Sequence, residues 1–109
     1  MRCLFKVTLP TDAGNEHIIN GTLGKTIESI LSDLNPEAAY FAEENGCRTG
    51  FIFCNLKEES EIPAMAEPWF LAFNARVEIH PAMTVADLKK AAPSFDKSVQ
   101  KYRSMKRAA

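Results

Sequence analysis

The chain has 109 residues, of which 46% are hydrophobic, 25% are charged and three are cysteines, and its net charge is −1. This composition suits one folded domain. It argues against a disulfide framework, and no apolar run approaches the roughly 18 residues that a membrane span needs. The net charge gives no overall argument for a nucleic-acid partner. Because the first residues lack the apolar stretch of a signal peptide, we expect a cytoplasmic protein.

The first predicted elements are a strand and a helix. Apolar and polar residues alternate over residues 3–9 and Pro10 ends the alternation, which indicates a strand. The helix that follows can be capped by Thr11 or Asp12 and ends before Pro36. Its apolar stripe recurs at spacings of three and four and consists of Ile19, Leu23, Ile27, Ile30, Leu31 and Leu34. We therefore expect one amphipathic helix after the first strand.

A β-hairpin is the clearest local signal. Residues 38–43 and 48–56 are rich in aromatic and β-branched side chains and flank Asn45-Gly46. Asn-Gly is the preferred pair for a two-residue type I′ turn, since both positions need a positive φ. A two-residue loop places Glu43 opposite Arg48, which predicts a favourable cross-strand pair of charges.

A second helix and a fourth strand follow the hairpin. The helix is expected to begin at Ser60 with Pro63 in its first turn, and Pro68 is expected to kink it or divide it in two. Alternation returns over residues 77–79, which predicts a strand that Pro81 closes.

The C-terminal region is predicted to be helical. Thr84 and Asp87 have the spacing of a capping box and precede a short helix that ends at Ala92. A further helix can start at Ser94, after Pro93.

The order of elements predicts the fold. The sequence β-α-β-β-α-β with a helical tail is the arrangement of the ferredoxin-like α+β fold. We expect a four-stranded antiparallel sheet with strands one and three in the centre and the helices on one face. Residues 1–83 would form this domain, and residues 84–109 a C-terminal helical extension with a basic tail.

Strand parity divides the sheet into two faces. One set is almost wholly apolar and should lie under the helices: Cys3, Phe5, Val7, Leu9, Ile52, Cys54, Leu56, Val77 and Ile79. The other set mixes aromatic and polar residues: Leu4, Lys6, Thr8, Ala38, Tyr40, Ala42, Thr49, Phe51, Phe53, Asn55, Arg76, Glu78 and His80. This open face is too aromatic to be left in water. It predicts a homodimer in which two open faces form one barrel with a polar-lined lumen.

Several stretches resemble a known group of proteins: FKVTLP, AAYFAEENG, RTGFIF, AEPWFLAFNA and VEIHP. Together with the topology, they make residues 1–83 similar to the dimeric α+β-barrel proteins, and in particular to small bacterial members. That superfamily includes antibiotic-biosynthesis-monooxygenase-like, muconolactone-isomerase-like and stress-responsive barrel groups. The resemblance implies a homodimer that binds or transforms small organic molecules between sheet and helices or inside the barrel. It carries no catalytic signature.

The candidate site lies on the open face. His80 is the predicted general base and Glu78 its partner in any proton transfer, and Lys6 on the neighbouring strand can meet either of them. The predicted ligand-binding residues are Lys6, Tyr40, Phe51, Phe53 and Arg76. An alternative interpretation is that the charged residues form a salt-bridge network within a dimer interface. The spacing of histidines and cysteines indicates no metal site and no organic cofactor.

Other residues have plainer interpretations. Trp69 is expected in the core, His17 on the solvated surface, and Cys47 as an exposed thiol in the turn. The segment 21–26 ends in Gly-Lys-Thr, but Ile19 occupies the position where a phosphate-binding loop needs its first glycine.

Two functions remain open from sequence. The first is a cytoplasmic homodimer that binds a small organic molecule and, if it is an enzyme, acts without a cofactor in isomerase- or monooxygenase-like chemistry. The second is a non-catalytic dimer that sequesters a ligand or serves protein interaction.

Nucleic-acid binding ranks last. Residues 94–109 carry five basic side chains and one acidic one, so residues 1–93 are net acidic. No aromatic stacking platform accompanies the basic tail. The tail is therefore interpreted as a solvated helix face that can rest on the acidic body of its own subunit or of a partner.

Overall fold

The structure is a computed structural model that describes residues 1–103. Its fold is a four-stranded antiparallel sheet with helices packed on one face. The strands are β1 (Arg2–Thr8), β2 (Ala38–Glu44), β3 (Cys47–Asn55) and β4 (Arg76–Pro81), in the spatial order β2-β3-β1-β4. The helices are α1 (Thr11–Ile19), α2 (Leu23–Leu34), α3 (Ile62–Phe73), which follows a 3₁₀ turn (Glu59–Glu61), and α4 (Val85–Ser98), which continues into a π-helical turn (Val99–Arg103). The predicted ferredoxin-like α+β arrangement is confirmed.

The hairpin has the predicted turn and register. Asn45 and Gly46 both have positive φ angles, 53° and 78°, and every pair that a two-residue loop requires is formed between β2 and β3. Although Glu43 and Arg48 are opposite each other, they form no ion pair. The Glu43 carboxylate accepts from the Gly46 N–H at 2.9 Å, and Arg48 donates to Asn15 at 3.0 Å. The register alone would pair Glu43 with Arg48, but Glu43 is bound within the turn and Arg48 is bound to α1.

The single helix predicted after β1 is two helices. Gly21 has a φ of 70°, and the Thr22 N–H donates to the His17 carbonyl at 2.8 Å, so α1 ends there and α2 begins at Leu23. The break turns Ile19 away from the stripe and leaves it 77% exposed. The prediction of one continuous stripe was therefore wrong, because a left-handed glycine interrupts the helical path.

Two internal prolines do not divide their helices. Pro68 lies inside α3 and Pro93 inside α4, so the two short helices predicted in the C-terminal region are one. A proline removes a single helical donor, and the bonds on either side keep the helix continuous. The predicted capping box at the start of α4 is confirmed: the Asp87 N–H donates to Thr84 Oγ1 at 3.1 Å, and the Thr84 N–H donates to Asp87 Oδ2 at 2.9 Å.

The core lies between the helices and the predicted apolar face of the sheet. On the sheet side it contains Cys3, Phe5 and Val7 of β1, Ile52 and Cys54 of β3, and Leu9 and Leu56, which directly follow these two strands. Ile30 of α2 and Trp69 and Phe73 of α3 pack against them, which confirms the prediction that Trp69 is a core residue. Within residues 1–103, no helix combines the length and the apolar character needed to cross a membrane.

Candidate functional site

A polar cluster occupies one end of the open face. Lys6 Nζ is paired with the Glu44 carboxylate and lies 3.5 Å from Glu78 Oε2, while Arg76 Nη2 donates to Glu78 Oε1 at 3.4 Å. The hydrogen bond to Glu44 raises the pKa of Lys6 above its ordinary value. The structure therefore brings Lys6 to Glu78, as the sequence predicted, and adds Arg76 to the same cluster. These charges already balance one another within the cluster.

Glu44 belongs to this cluster and was missed. Glu44 is the next alternate residue after Ala38, Tyr40 and Ala42, so its side chain is on the same face of the sheet. The strand β2 extends far enough to include it. The predicted strand stopped one residue earlier. Extending the alternation to the turn would have placed Glu44 on the open face.

His80 lies near the cluster but outside it. It is exposed and opposite Leu4, whereas Glu78 is opposite Lys6 in the next pair along the strands. Within the described residues, the His80 side chain has no hydrogen bond or ion pair, and Glu78 is engaged by two cations. A general base needs a neighbour that orients it. The monomer supplies none for His80.

The predicted aromatic residues form a patch beside the polar cluster on the open face, since Phe51 is opposite both Lys6 and Tyr40. Tyr40 is 66% exposed, and Phe51 and Phe53 are half-buried. Leu4 and Ala38 lie opposite Phe53 on its two neighbouring strands. We call Leu4, Ala38, Tyr40, Phe51 and Phe53 the aromatic patch. A shallow depression of about 170 Å³ on this face lies over the polar cluster and does not reach the patch.

A cavity on the helix side of the sheet is lined by residues other than those predicted for the site. Its volume is about 270 Å³. The apolar walls are Val7 of β1, Leu9 just after β1, Leu23 and Ile27 of α2, Phe41 of β2 and Trp69 of α3. The polar side chains of the lining are those of Glu43, Arg48 and Thr49. The cavity is thus a hydrophobic space with charged groups at the β2–β3 edge.

Gly50 shapes the wall of this cavity at β3. A Cβ on Gly50 would lie 3.0 Å from Cε1 of Phe41, the residue opposite it on β2. The missing side chain lets the Phe41 ring fold over the strand. A glycine within an aromatic strand was the signal in the sequence that could have pointed to this place.

Arg48 borders the cavity without a carboxylate partner. Its guanidinium crosses α1 at Gly14, where a Cβ would approach Nη1 to 2.6 Å, and Nη2 donates to Asn15 Oδ1 at 3.0 Å. In the part of the chain that the structure describes, no ion pair involves Arg48. Arg48 is therefore a half-buried cation beside an apolar space, held by a neutral amide.

Trp69 forms one wall and has an unsatisfied polar atom. It is 1% exposed, and its Nε1–H is buried with no hydrogen-bond partner among the described residues. A buried donor without an acceptor costs about 1–3 kcal/mol. Since Trp69 is the only tryptophan in the chain, tryptophan fluorescence reports on the surroundings of this one residue.

His17 is not the solvated surface residue that was predicted. Nε2 donates to the Ala72 carbonyl at 2.8 Å, Nδ1 lies 2.8 Å from Thr22 Oγ1, and the ring centroid lies 4.5 Å from that of Phe73. His17 thus ties α1 to α3. Its partner Ala72 is distant in sequence, so no local pattern indicated this role.

The cysteines have structural surroundings. Cys3 and Cys54 are buried opposite each other on β1 and β3, and burial raises the pKa of the Cys54 thiol. Cys47 is half-buried, whereas an exposed thiol was expected. Among residues 1–103, no group of three histidine, cysteine or acidic side chains is placed to hold a metal ion.

A comparison with protein-family models finds none that matches this chain, and a search of curated proteins finds no match either. The geometry of the site is therefore the basis for the function proposed below.

Proposed function

We propose that this protein binds a small hydrophobic carboxylic acid in the cavity between the sheet and the helices. The observation that carries the proposal is Arg48, a cation without a carboxylate partner among the described residues, at the border of an apolar cavity. The proposal keeps the expected small organic ligand and moves its site from the open face to the helix side.

The cavity sets the size of the ligand. An apolar cavity of about 150 Å³ holds benzene. At about 270 Å³, this cavity has room for a longer chain or a second ring. Its walls are mainly leucine, isoleucine, valine and aromatic side chains, so the ligand's body is hydrocarbon.

Arg48 sets the charge of the ligand. A guanidinium presents several N–H donors in a planar fork that matches a carboxylate, and among the described residues the Arg48 guanidinium makes a single hydrogen bond, to Asn15. A carboxylate at the β2–β3 edge would pair with Arg48 while its hydrocarbon body entered the cavity. Glu43 is turned away to the Gly46 N–H and leaves that side of Arg48 open.

The lining favours binding over catalysis. Apart from Glu43 and Thr49, the residues around the cavity include no group that commonly acts as a nucleophile or a general base. Glu43 is bound within the turn, and Thr49 Oγ1 donates to the Cys47 carbonyl at 3.1 Å. On the open face, the charges of Lys6, Glu78 and Arg76 neutralise one another. We propose a cytoplasmic binding protein without a cofactor, consistent with the cysteine usage.

The test uses the fluorescence of Trp69. Decanoate and decanol are titrated separately, below their micellar concentrations, and the change in Trp69 emission gives each affinity. We expect saturable binding of both, with decanoate tighter. Replacing Arg48 by Gln should weaken decanoate binding by about tenfold or more and leave decanol binding unchanged, because only a charge-assisted hydrogen bond is lost.

Arg76→Gln is the matched control, since it removes the same charge from an exposed side chain on the opposite face. Ile27→Phe should abolish binding of both probes by filling the cavity. Equal decanoate affinity in Arg48→Gln and the wild type would refute the role of Arg48. No emission change with either probe would refute the site.

A further inference from the structure

The C-terminal helix extends away from the rest of the molecule. The radius of gyration is 18.8 Å, against about 13 Å for a compact domain of this length, and the longest dimension is 62 Å. None of the residues in α4 or the π-helical turn is buried. We call residues 85–103 the arm and residues 1–84 the body.

The arm carries an apolar stripe that its own body does not cover. The stripe recurs at alternating spacings of three and four and consists of Val85, Leu88, Ala92, Phe95, Val99 and Tyr102. Apart from Ala92, these side chains are 42–68% exposed. A helix with such a stripe is stable when the stripe is packed against a partner surface.

The aromatic patch is the second uncovered apolar surface in the same chain. Tyr40 is as exposed as the stripe residues, and the patch lies on the sheet face opposite the helices. The charges beside it are paired within the chain: Arg2 with Glu37 at 2.7 Å, and Lys6 with Glu44 and Glu78. A partner on this face therefore meets apolar surface and charges that are already neutralised.

Body and arm have opposite net charges. The body has six basic and twelve acidic side chains, and the arm has five basic and two acidic ones. No residue of the arm is buried against the body that precedes it, so the body of a second copy is available to this attraction. Opposite charges of this size speed the encounter of two molecules and favour the complementary orientation.

We propose that the arm of each copy lies across the aromatic patch of a second copy, which gives a homodimer with exchanged arms. The lengths are compatible, because α4 with 14 residues is about 21 Å long at 1.5 Å per residue, which is shorter than the nine residues of β3 at about 30 Å. A helix of this length fits along the sheet. The proposal goes beyond ligand binding and does not depend on it.

Pairing of two arms with each other fits the sequence less well. If the stripe were the seam of a coiled coil, the flanking positions would be Lys89, Asp96 and Arg103 on one side and Ala91 and Ser98 on the other. An antiparallel pair would bring Lys89 to Arg103 and Asp96 to Asp96, which are repulsive contacts. A parallel pair would form no flanking ion pair.

The first test measures molecular mass by analytical ultracentrifugation. We expect the full chain to be a dimer at micromolar concentration. Phe95→Asp, which puts a charge in the stripe, should raise the dimer dissociation constant roughly 100-fold or more. Gln100→Asp adds the same charge to the polar side of the arm and should leave the dimer intact. Circular dichroism and Trp69 emission check that each variant is folded.

The second test mixes two defective variants. Phe53→Asp disables the patch, and Tyr40→Asp is used in its place if Phe53→Asp fails to fold, since Tyr40 is already largely exposed. Each variant alone should be monomeric. In a mixture, the Phe95→Asp chain still has an intact patch and the patch variant still has an intact arm. One of the two arm-to-patch contacts can therefore form between them. We expect a heterodimer in the mixture and in neither variant alone.

Other outcomes overturn the proposal. A dimer that survives Phe95→Asp would mean that the open faces pack directly on each other. If the dimer survives both patch changes, the arms pair with each other. A wild-type chain that stays monomeric, or a mixture that forms no heterodimer, would exclude arm exchange.

Discussion

The unsatisfied indole N–H of Trp69 gives a quantitative prediction for the core. Trp69→Phe and Phe73→Leu each remove about three heavy atoms from a fully buried side chain of α3, and each should lose about 2–2.5 kcal/mol of transfer free energy. Trp69→Phe also removes a buried donor that has no partner, which returns about 1–3 kcal/mol. We therefore expect Trp69→Phe to change the free energy of unfolding by no more than about 1.5 kcal/mol.

Phe73→Leu is the matched comparison because it removes no polar atom. It should cost about 2.5 kcal/mol or more, since the ring contact with His17 is lost as well. Urea unfolding followed by far-UV circular dichroism measures both variants. If the two variants are equally destabilised, the indole N–H is satisfied in solution and the reasoning fails.

Three further predictions test the site, the turn and the arm. Gly14→Ala should leave the fold as stable as the wild type, because alanine favours a helix. It should nevertheless weaken decanoate binding, because the new Cβ displaces the Arg48 guanidinium. Unchanged binding in the fluorescence titration would contradict this. Gly46→Ala should destabilise the protein by about 1 kcal/mol in urea unfolding, since its φ is positive and no steric clash accompanies the change; a neutral result would contradict the turn geometry. Hydrogen bonds from Thr84 lower the pKa of the Asp87 carboxyl. The cap therefore stabilises α4 fully above the pKa that Asp87 has in the unfolded chain, and this stabilisation is lost as the pH falls through its folded pKa. NMR amide signals of α4 should show early loss of helix in acid, and Asp87→Asn should remove that pH dependence.

The hairpin and the two sheet faces could be predicted from the sequence because the information is local. Asn45-Gly46 fixes the loop length, and the loop length fixes every pair between β2 and β3. Alternation along each strand then assigns each side chain to a face. The burial of Phe5 and Ile52, and the meeting of Lys6 with Glu78, follow from that assignment.

The paths of long side chains could not be predicted in this way. Arg48 lies opposite Glu43, yet it crosses to α1, where Gly14 leaves room and Asn15 accepts its hydrogen bond. His17 bonds to Ala72, which is 55 residues away. Such contacts depend on how helices and strands are placed in space.

The sequence by itself determined the fold class, the strand order, the hairpin register and the face of the sheet that forms the core, because the side-chain period and turn chemistry are properties of neighbouring residues. Only the tertiary structure decided that a cavity remains beside Trp69 and that the arm extends from the body. A cavity depends on how far apart two packed layers are held, and that separation is set by many distant side chains together. The function proposed here depends on this second kind of information.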